Sequence, residues 1–328
     1  MKYHLDISIL HTKKDCPQSF DCQQSEEWEF IPFFFYHIIS LEEVREMHDL
    51  MKFKGIDHDE VLYHYTSCKS VQGILKSGIF FATKSSFLND TNELAYILEL
   101  VEMVISEVEN AEYRHLLRLS IIETMEEFTQ RNIYVLSFST DPDSLTLWAE
   151  FGDKTGYNMA FDGKKLLDAI KEHHPITLHG HIIYDKAYQL KILRNLLFVK
   201  IPDELNITFK DIMEEEIKSQ NTEAFQELTT RFQQDISRLA IFFKQNEFKS
   251  EQEYRIAFEN PSKQSLSFRE KDGFLLPYIQ IYVGKLPLLS ITVAPKNHVD
   301  LAPAGMRAYL EYLGYDTTVY FSQLKLRY

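Results

Sequence analysis

The segment VLYHYTSCKSVQGILKSGIFFAT, residues 61–83, predicts a strand, a helix and a second strand in direct succession. VLYHYTS is rich in β-branched and aromatic residues and ends in Thr66 and Ser67, either of which can cap a helix. Apolar residues then recur at helical spacing, and Gly78 ends the helix. IFFAT predicts the second strand. This segment therefore opens the main folded unit with strands and a helix mixed.

Further strands and helices follow at irregular intervals. NIYVLSFST, GYNMAFD and YRIAFE predict buried strands, and residues 202–248 predict mainly helix. Because no regular βαβ alternation occurs, we expect an α+β fold in which a split pair of small sheets is surrounded by helices. We expect this unit to cover residues 59–328, with a helical insertion at about 186–248 and an N-terminal extension at 1–58.

The charge and cysteine content narrow the class of protein. Lys and Arg number 35 against 49 Asp and Glu, a net charge of −14, so the overall field repels polyanions. Three cysteines without a CxxC pair predict no disulfide scaffold and favour the cytoplasm. The apolar run FIPFFFYHII, residues 30–39, is too short to span a bilayer. It could pack on its own domain or at a homodimer interface.

Polar residues collect where predicted strands meet helices or loops, which is typical of a binding pocket. Helix capping and surface ion pairs are the competing explanation for each cluster. Motifs of the P-loop, GxGxxG, HExxH and GxSxG types do not occur. The clusters are His64-Tyr65-Thr66-Ser67, Asn89-Asp90 with Glu93, Ser137-Phe138-Ser139-Thr140 with Trp148, and Glu251-Gln252-Glu253-Tyr254-Arg255.

The pair His179 and His181 has the spacing that puts both rings on one face of a strand, as a shared metal ion would require. No third ligand lies at a matching spacing. We therefore interpret these residues as surface histidines or hydrogen-bonded core histidines and expect no metal.

Six short strings occur in order along the chain: LYHYTS, GILxxG, FLNDxxE, LSFS followed by DSLxxW, ExExR and VYFSxxxxR. Taken together, they resemble the bacterial domain-of-unknown-function family 2971. The resemblance extends from about Leu62 to Arg327 and leaves residues 1–58 outside it. Residues 184–248 form a longer helical segment than the family pattern suggests.

The order of these strings is in turn similar to the ADP-ribosyltransferase fold. That likeness implies NAD as a substrate, no metal, and no need for a glycine-rich dinucleotide loop. It implies Glu253, with Glu251, as the catalytic carboxylates at the start of a late strand. The residues that it implies for NAD binding are His64, Tyr65, Thr66, Asn89, Ser137, Ser139, Trp148 and Arg255.

The chemistry of that reaction suits these residue types. Cleavage between ribose and nicotinamide passes through an oxocarbenium-like transition state, which a nearby carboxylate such as Glu253 stabilises. The face of Tyr65 or Trp148 could stack on the nicotinamide. We therefore expect an NAD-dependent ADP-ribosyltransferase or NAD glycohydrolase, such as a bacterial toxin or anti-phage effector. The acceptor could be protein, nucleic acid, a small molecule or water.

Two other classes of function remain open. One is a non-catalytic nucleotide-sensing or protein-interaction module that keeps the same frame. The other is a metal-dependent nuclease using Asp90, Glu93, Glu251 and Glu253, which the net charge of −14 disfavours unless a local basic groove exists.

Overall fold

The computed structural model describes residues 60–88, 93–124, 132–151, 155–271, 273–295 and 301–325. Within them ten strands form one mixed sheet. The strands are β1 (Val61–Thr66), β2 (Ile79–Lys84), β3 (Ile133–Ser139), β4 (Tyr157–Asp162), β5 (Leu178–His181), β6 (Glu253–Glu259), β7 (Leu266–Lys271), β8 (Phe274–Tyr282), β9 (Leu288–Val293) and β10 (Thr318–Phe321).

The α-helices lie around this sheet and in a separate helical layer. Two of them continue into short π-helical turns at Arg118–Ile122 and Leu196–Lys200. The helices are α1 (Cys68–Ser77), α2 (Glu93–Ser106), α3 (Ala111–Leu117), α4 (Leu145–Phe151), α5 (Gly163–His173), α6 (Lys186–Asn195), α7 (Ile201–Leu205), α8 (Phe209–Ser219), α9 (Glu223–Leu239) and α10 (Leu301–Tyr312).

The sheet forks at β3. One edge of β3 pairs with β6 along its whole length, from Ile133 opposite Glu259 to Ser139 opposite Glu253. The other edge is shared, because Ser139 also pairs with Tyr63 of β1 while β2 pairs lower down the same edge. A strand has only two edges, so β1 and β2 must diverge from β3. One branch continues as β1-β4-β9-β10 and the other as β2-β8-β7.

The mixture of strands and helices agrees with the sequence prediction, but the expected pair of separate small sheets was wrong. Both halves belong to one ten-stranded sheet, because β3 pairs with β1 and with β2. Strand β7 and the first half of β8 were not predicted. Their residues are largely exposed, so their alternation of polar and apolar residues is weak.

The predicted capping of α1 is present. The Ser67 hydroxyl accepts a hydrogen bond from the Ser70 N–H at 3.3 Å, and Gly78 closes the helix at φ 64°. A side chain at Gly78 would also collide with backbone, since a Cβ there would lie 2.2 Å from the Gly284 carbonyl oxygen. Glycine is therefore required where α1 turns into β2.

Two large hydrophobic clusters divide the core. One lies between the sheet and α1, α5 and α10, and includes Phe80, Phe138 and Phe161. The other holds together α2, α3 and the helices α6–α9, and includes Phe225 and Phe232. Helices α6–α9 occupy Lys186–Leu239, a range within the predicted helical insertion at about 186–248. No helix in the described ranges has the length and apolar character that a membrane span requires.

Several predictions concern positions outside the described residues. They are the N-terminal extension at 1–58 with its apolar run at 30–39, the site residues Asn89 and Asp90, and the final motif residue Arg327.

Candidate functional site

Strands β3, β6 and β1 present several polar residues on one face of the sheet. Residues directly opposite one another in antiparallel strands share a face, and alternate residues return to it. Glu253 lies opposite Ser139, Arg255 lies opposite Ser137, and Tyr63 lies opposite Ser139 on the other edge. We call this surface the Glu253 face. Three strands thus bring together side chains from positions 63 to 255.

Four charged side chains meet at this face and form what we call the charge cluster: Lys244, Glu251, Glu253 and Arg255. Arg255 binds both carboxylate oxygens of Glu253, with Nε to Oε1 at 2.8 Å and Nη2 to Oε2 at 2.9 Å. Lys244 Nζ donates to Glu251 Oε2 at 2.6 Å and lies 3.6 Å from Glu253 Oε2. All four residues are buried, so their two positive and two negative charges balance away from water.

Burial and the neighbouring charges shift the pKa values of residues in the charge cluster. Burial raises the pKa of the Glu253 carboxyl, but the charges of Arg255 and Lys244 outweigh it and hold that pKa below its ordinary value. Burial raises the pKa of Glu251, which Lys244 only partly offsets. Burial lowers the pKa of Lys244, but Glu253 and Glu251 more than offset it and the pKa is raised. Glu253 is therefore the firmly ionised carboxylate of the site.

Glu251 reaches the cluster by a route that strand geometry did not predict. Two residues apart at the start of a predicted strand, Glu251 and Glu253 would share a strand face by the period of two. Instead Glu251 ends a 3-10 turn, Asn246–Glu251, and Gln252 adopts a left-handed conformation with φ 43° before β6 begins. The two carboxylates converge because the chain turns at Gln252, where a non-glycine residue is strained.

The two predicted serines have different roles. Ser139 is buried, and its hydroxyl donates to the Glu251 carbonyl oxygen at 2.6 Å and accepts from the Asp141 N–H at 3.0 Å. It therefore joins β3 to the turn before β6. Ser137 is partly exposed, and it also helps to lower the pKa of the Glu253 carboxyl. Ser137 is the serine placed to meet a ligand.

Tyr65 and Trp148 do not offer an open ring for nicotinamide. Their exposed fractions are only 6% and 3%, and their rings pack edge-to-face at 4.9 Å. The Tyr65 hydroxyl donates to the Asp141 carbonyl oxygen at 2.7 Å and accepts from the Ser144 N–H. The expectation that these aromatic faces stack on the nicotinamide is therefore corrected: both rings hold α4 against β1.

His64 and Thr66 alternate with Tyr63 and Tyr65 and so point to the opposite face of the sheet. The His64 ring packs against Phe80 and Phe138, and its Nδ1 lies 3.3 Å from the Ser137 carbonyl oxygen at the fork. Burial lowers the pKa of His64 to about 4. The prediction that His64 lines the same cleft as Glu253 fails, because adjacent residues of a strand face opposite sides.

His179 and His181 have partners within the protein. His179 Nδ1 lies 2.7 Å from the Tyr254 hydroxyl, and His181 Nε2 lies 3.0 Å from a carboxylate oxygen of Glu60. Glu251 and Glu253, which the nuclease hypothesis would use as metal ligands, face Lys244 and Arg255 instead. In the described part of the chain no group of three or more His, Cys, Asp or Glu residues is arranged to hold a metal ion.

Three residues of the site were not predicted. Lys244 follows the apolar run AIFF and is the cation that both carboxylates face. Tyr184, at the end of the alternating run ITLHGHIIY, accepts a hydrogen bond from the Glu253 N–H at 3.0 Å. Tyr63 shares the Glu253 face with Ser139. A lone lysine after buried residues was a usable signal, because a buried ammonium group needs a carboxylate partner.

Comparison with known proteins supports the family resemblance over part of the chain. Residues 147–256 match the model of a family described as "Protein of unknown function (DUF2971)". The match begins in α4 and ends in β6, so it contains Trp148, the helices α6–α9 and the whole charge cluster. None of the curated proteins and none of the solved structures matches the chain.

Proposed function

We propose that this protein is an NAD-dependent ADP-ribosyltransferase or NAD glycohydrolase that uses Glu253 as its catalytic carboxylate. The observation that carries the proposal is the order of three neighbouring strands, β1-β3-β6, which brings Tyr63, Ser137 and the ionised Glu253 to one face. The resemblance implied these three strands as the carriers of the NAD site. A bacterial toxin or anti-phage effector is the setting that we propose for this activity.

The geometry around Glu253 suits the chemistry. A carboxylate has about four lone-pair directions, of which Arg255 occupies one on each oxygen. Ser137 is the partly exposed neighbour of this carboxylate and also helps to lower its pKa. A ribose 2′-hydroxyl would donate to one of the remaining directions on Glu253, beside Ser137. Arg255 keeps the carboxylate oriented for this contact.

The reaction breaks the bond between ribose C1′ and the nicotinamide nitrogen, and the electron pair leaves with nicotinamide. The positive charge that develops on C1′ and the ring oxygen is stabilised by Glu253. The oxygen of water or of an acceptor hydroxyl then bonds to C1′ and loses its proton to solvent or to a basic group. The products are nicotinamide, ADP-ribose on the acceptor oxygen, and one proton.

The test is nicotinamide release from NAD by the purified chain and by the Glu253→Gln variant. Removing the charge should lower the rate by about 10²–10⁴-fold, while NAD affinity changes far less. Loss of the partner of buried Arg255 should also destabilise the variant by about 3 kcal/mol, so rates are compared at temperatures where both proteins are folded.

Glu259→Gln is the matched control, because Glu259 ends the same strand and pairs with Arg238 instead of the charge cluster. We expect it to keep the wild-type rate. Equal rates for wild type and Glu253→Gln would remove Glu253 from the mechanism.

A non-catalytic nucleotide-sensing or protein-interaction module is the second candidate. The balanced charges of the cluster favour it, because Arg255 and Lys244 already neutralise Glu253 and Glu251 in the absence of any ligand. This candidate would be favoured if neither the wild type nor any variant released nicotinamide.

A further inference from the structure

The second branch of the fork shares the Glu253 face. Thr83 of β2 lies directly opposite Val135 of β3, and Val135 is two residues from Ser137 on the same side. Phe81 is two residues from Thr83 and therefore also faces this side. The open surface of β2, β8 and β7 thus continues the face on which Glu253 lies.

This branch carries an aromatic pair under an arginine. The rings of Phe81 and Tyr278 lie 4.3 Å apart between centroids with an interplanar angle of 36°. The Arg269 guanidinium lies 5.7 Å from the Phe81 centroid and 5.8 Å from the Tyr278 centroid. Phe81 is 42% exposed, whereas phenyl rings are most often buried. We call these three residues the aromatic platform.

Arg269 has no acidic partner on the platform. Its only polar contact within the described residues is a long hydrogen bond from Nη2 to the Thr83 hydroxyl at 3.4 Å. Arg269 is an exposed residue that forms no ion pair among the described residues, so in a chain with net charge −14 it is available to an anion. Gln280 lies opposite Phe81 in the ladder and is also exposed, so its amide can pair with the edge of a base.

We propose that the aromatic platform binds a purine nucleoside phosphate, with the base stacked on Phe81 and the phosphate on Arg269. Aromatic faces stack on bases, and arginine binds phosphate through a fork of donors. This inference rests on the proposed function insofar as it places the adenylate half of NAD on β2-β8-β7 and the nicotinamide half beside Glu253. A nucleic-acid polymer is disfavoured, because the net charge of −14 opposes contacts with many phosphates.

The experiment is calorimetric titration of the full chain with AMP and, separately, with adenosine. Phe81→Leu should weaken binding of both compounds by about tenfold. Arg269→Gln should weaken AMP by about tenfold and leave adenosine unchanged. Phe268→Leu is the matched control, because this exposed phenylalanine lies on the opposite face of the same β7-β8 hairpin and should bind AMP like wild type.

The outcomes separate this inference from the proposed function. The proposed nucleotide site is wrong if wild type does not bind AMP, or if Phe81→Leu and Arg269→Gln bind AMP as wild type does. This holds whatever the result for nicotinamide release. AMP binding that needs the platform but survives in Glu253→Gln supports the platform, and it does so even if no variant releases nicotinamide. Binding of an oligonucleotide at least tenfold tighter than AMP would also overturn the inference.

Discussion

At the scale of single residues, His64 shows how position in a strand decides the state of a side chain. The Ser137 carbonyl oxygen can only accept a hydrogen bond, so His64 Nδ1 must carry the proton and Nε2 must be unprotonated. The carbonyl lies on the edge of β3 between the residues that pair with β1 and β2. At the fork, the neutral His64 imidazole therefore donates the hydrogen bond that a backbone N–H of a neighbouring strand would otherwise give to this carbonyl.

His64 should make the protein less stable in mild acid. The folded pKa of about 4 lies below the ordinary value of 6.5, so the unfolded chain binds more protons between these values. The stabilisation is complete above pH 6.5 and is lost as pH falls toward 4. Between pH 7 and pH 5 we expect a loss of about 2 kcal/mol that His64→Asn does not show. Urea unfolding of both proteins at both pH values measures it, and parallel losses would contradict the assignment.

At the scale of elements, Asp143 ties the loop between β3 and α4 to the chain after β10. Its carboxylate accepts from Trp148 Nε1, from the Ser322 hydroxyl and from the Gln323 N–H, each at 2.7 Å. Two strings of the sequence resemblance, DSLxxW and VYFSxxxxR, therefore meet at one carboxylate. Neither helical nor strand periodicity could show this contact, because the partners are about 180 residues apart.

Asp143→Ala should release this connection. The Trp148 indole N–H and two donors of the terminal segment lose an ionised acceptor, so we expect a loss of about 2–3 kcal/mol in the free energy of unfolding. Hydrogen exchange should accelerate in residues 318–325. Asp316→Ala, at an exposed position, is the control and should leave both measurements unchanged. Protection of residues 318–325 that is equal in wild type and Asp143→Ala would refute the connection.

At the scale of the whole molecule, Gln189 joins the helical layer to the charge cluster. It is fully buried, accepts from the Tyr96 hydroxyl at 2.6 Å, and donates through Nε2 to the carbonyl oxygens of Ile183 and Lys244. Helices α2 and α6 are thereby fixed to the backbone of the residue that pairs with Glu251. A substitution that loosens the helical layer should therefore also disturb the candidate site.

Gln189→Leu keeps the approximate volume but removes the partner of the Tyr96 hydroxyl and of the Lys244 carbonyl oxygen. The Ile183 carbonyl oxygen keeps its hydrogen bond from the Lys244 N–H at 3.2 Å. We expect a loss of about 3 kcal/mol in stability, and a lower rate of nicotinamide release if the proposed function holds. Thermal unfolding by circular dichroism measures the first effect. Gln226→Leu, an exposed change on α9, should cost under about 0.5 kcal/mol. A Gln189→Leu variant as stable as Gln226→Leu would show that this connection contributes little.

The sequence alone indicated most of the elements and part of the candidate site. Local signals were sufficient for the segment 61–83, for β3 and β6, and for the grouping of Glu251, Glu253 and Arg255, because capping, periodicity and short motifs act over a few residues. They also indicated where a carboxylate site would lie along the chain.

Only the tertiary structure decided which side chains meet. The fork at β3 places Phe81 and Glu253 on one face and His64 on the other, and this depends on strand register between distant segments. The left-handed Gln252 turns Glu251 toward Lys244, which a period-two reading could not foresee. Arg255 and Lys244 then keep Glu253 ionised against the effect of burial, because charges removed from water must find partners within the fold.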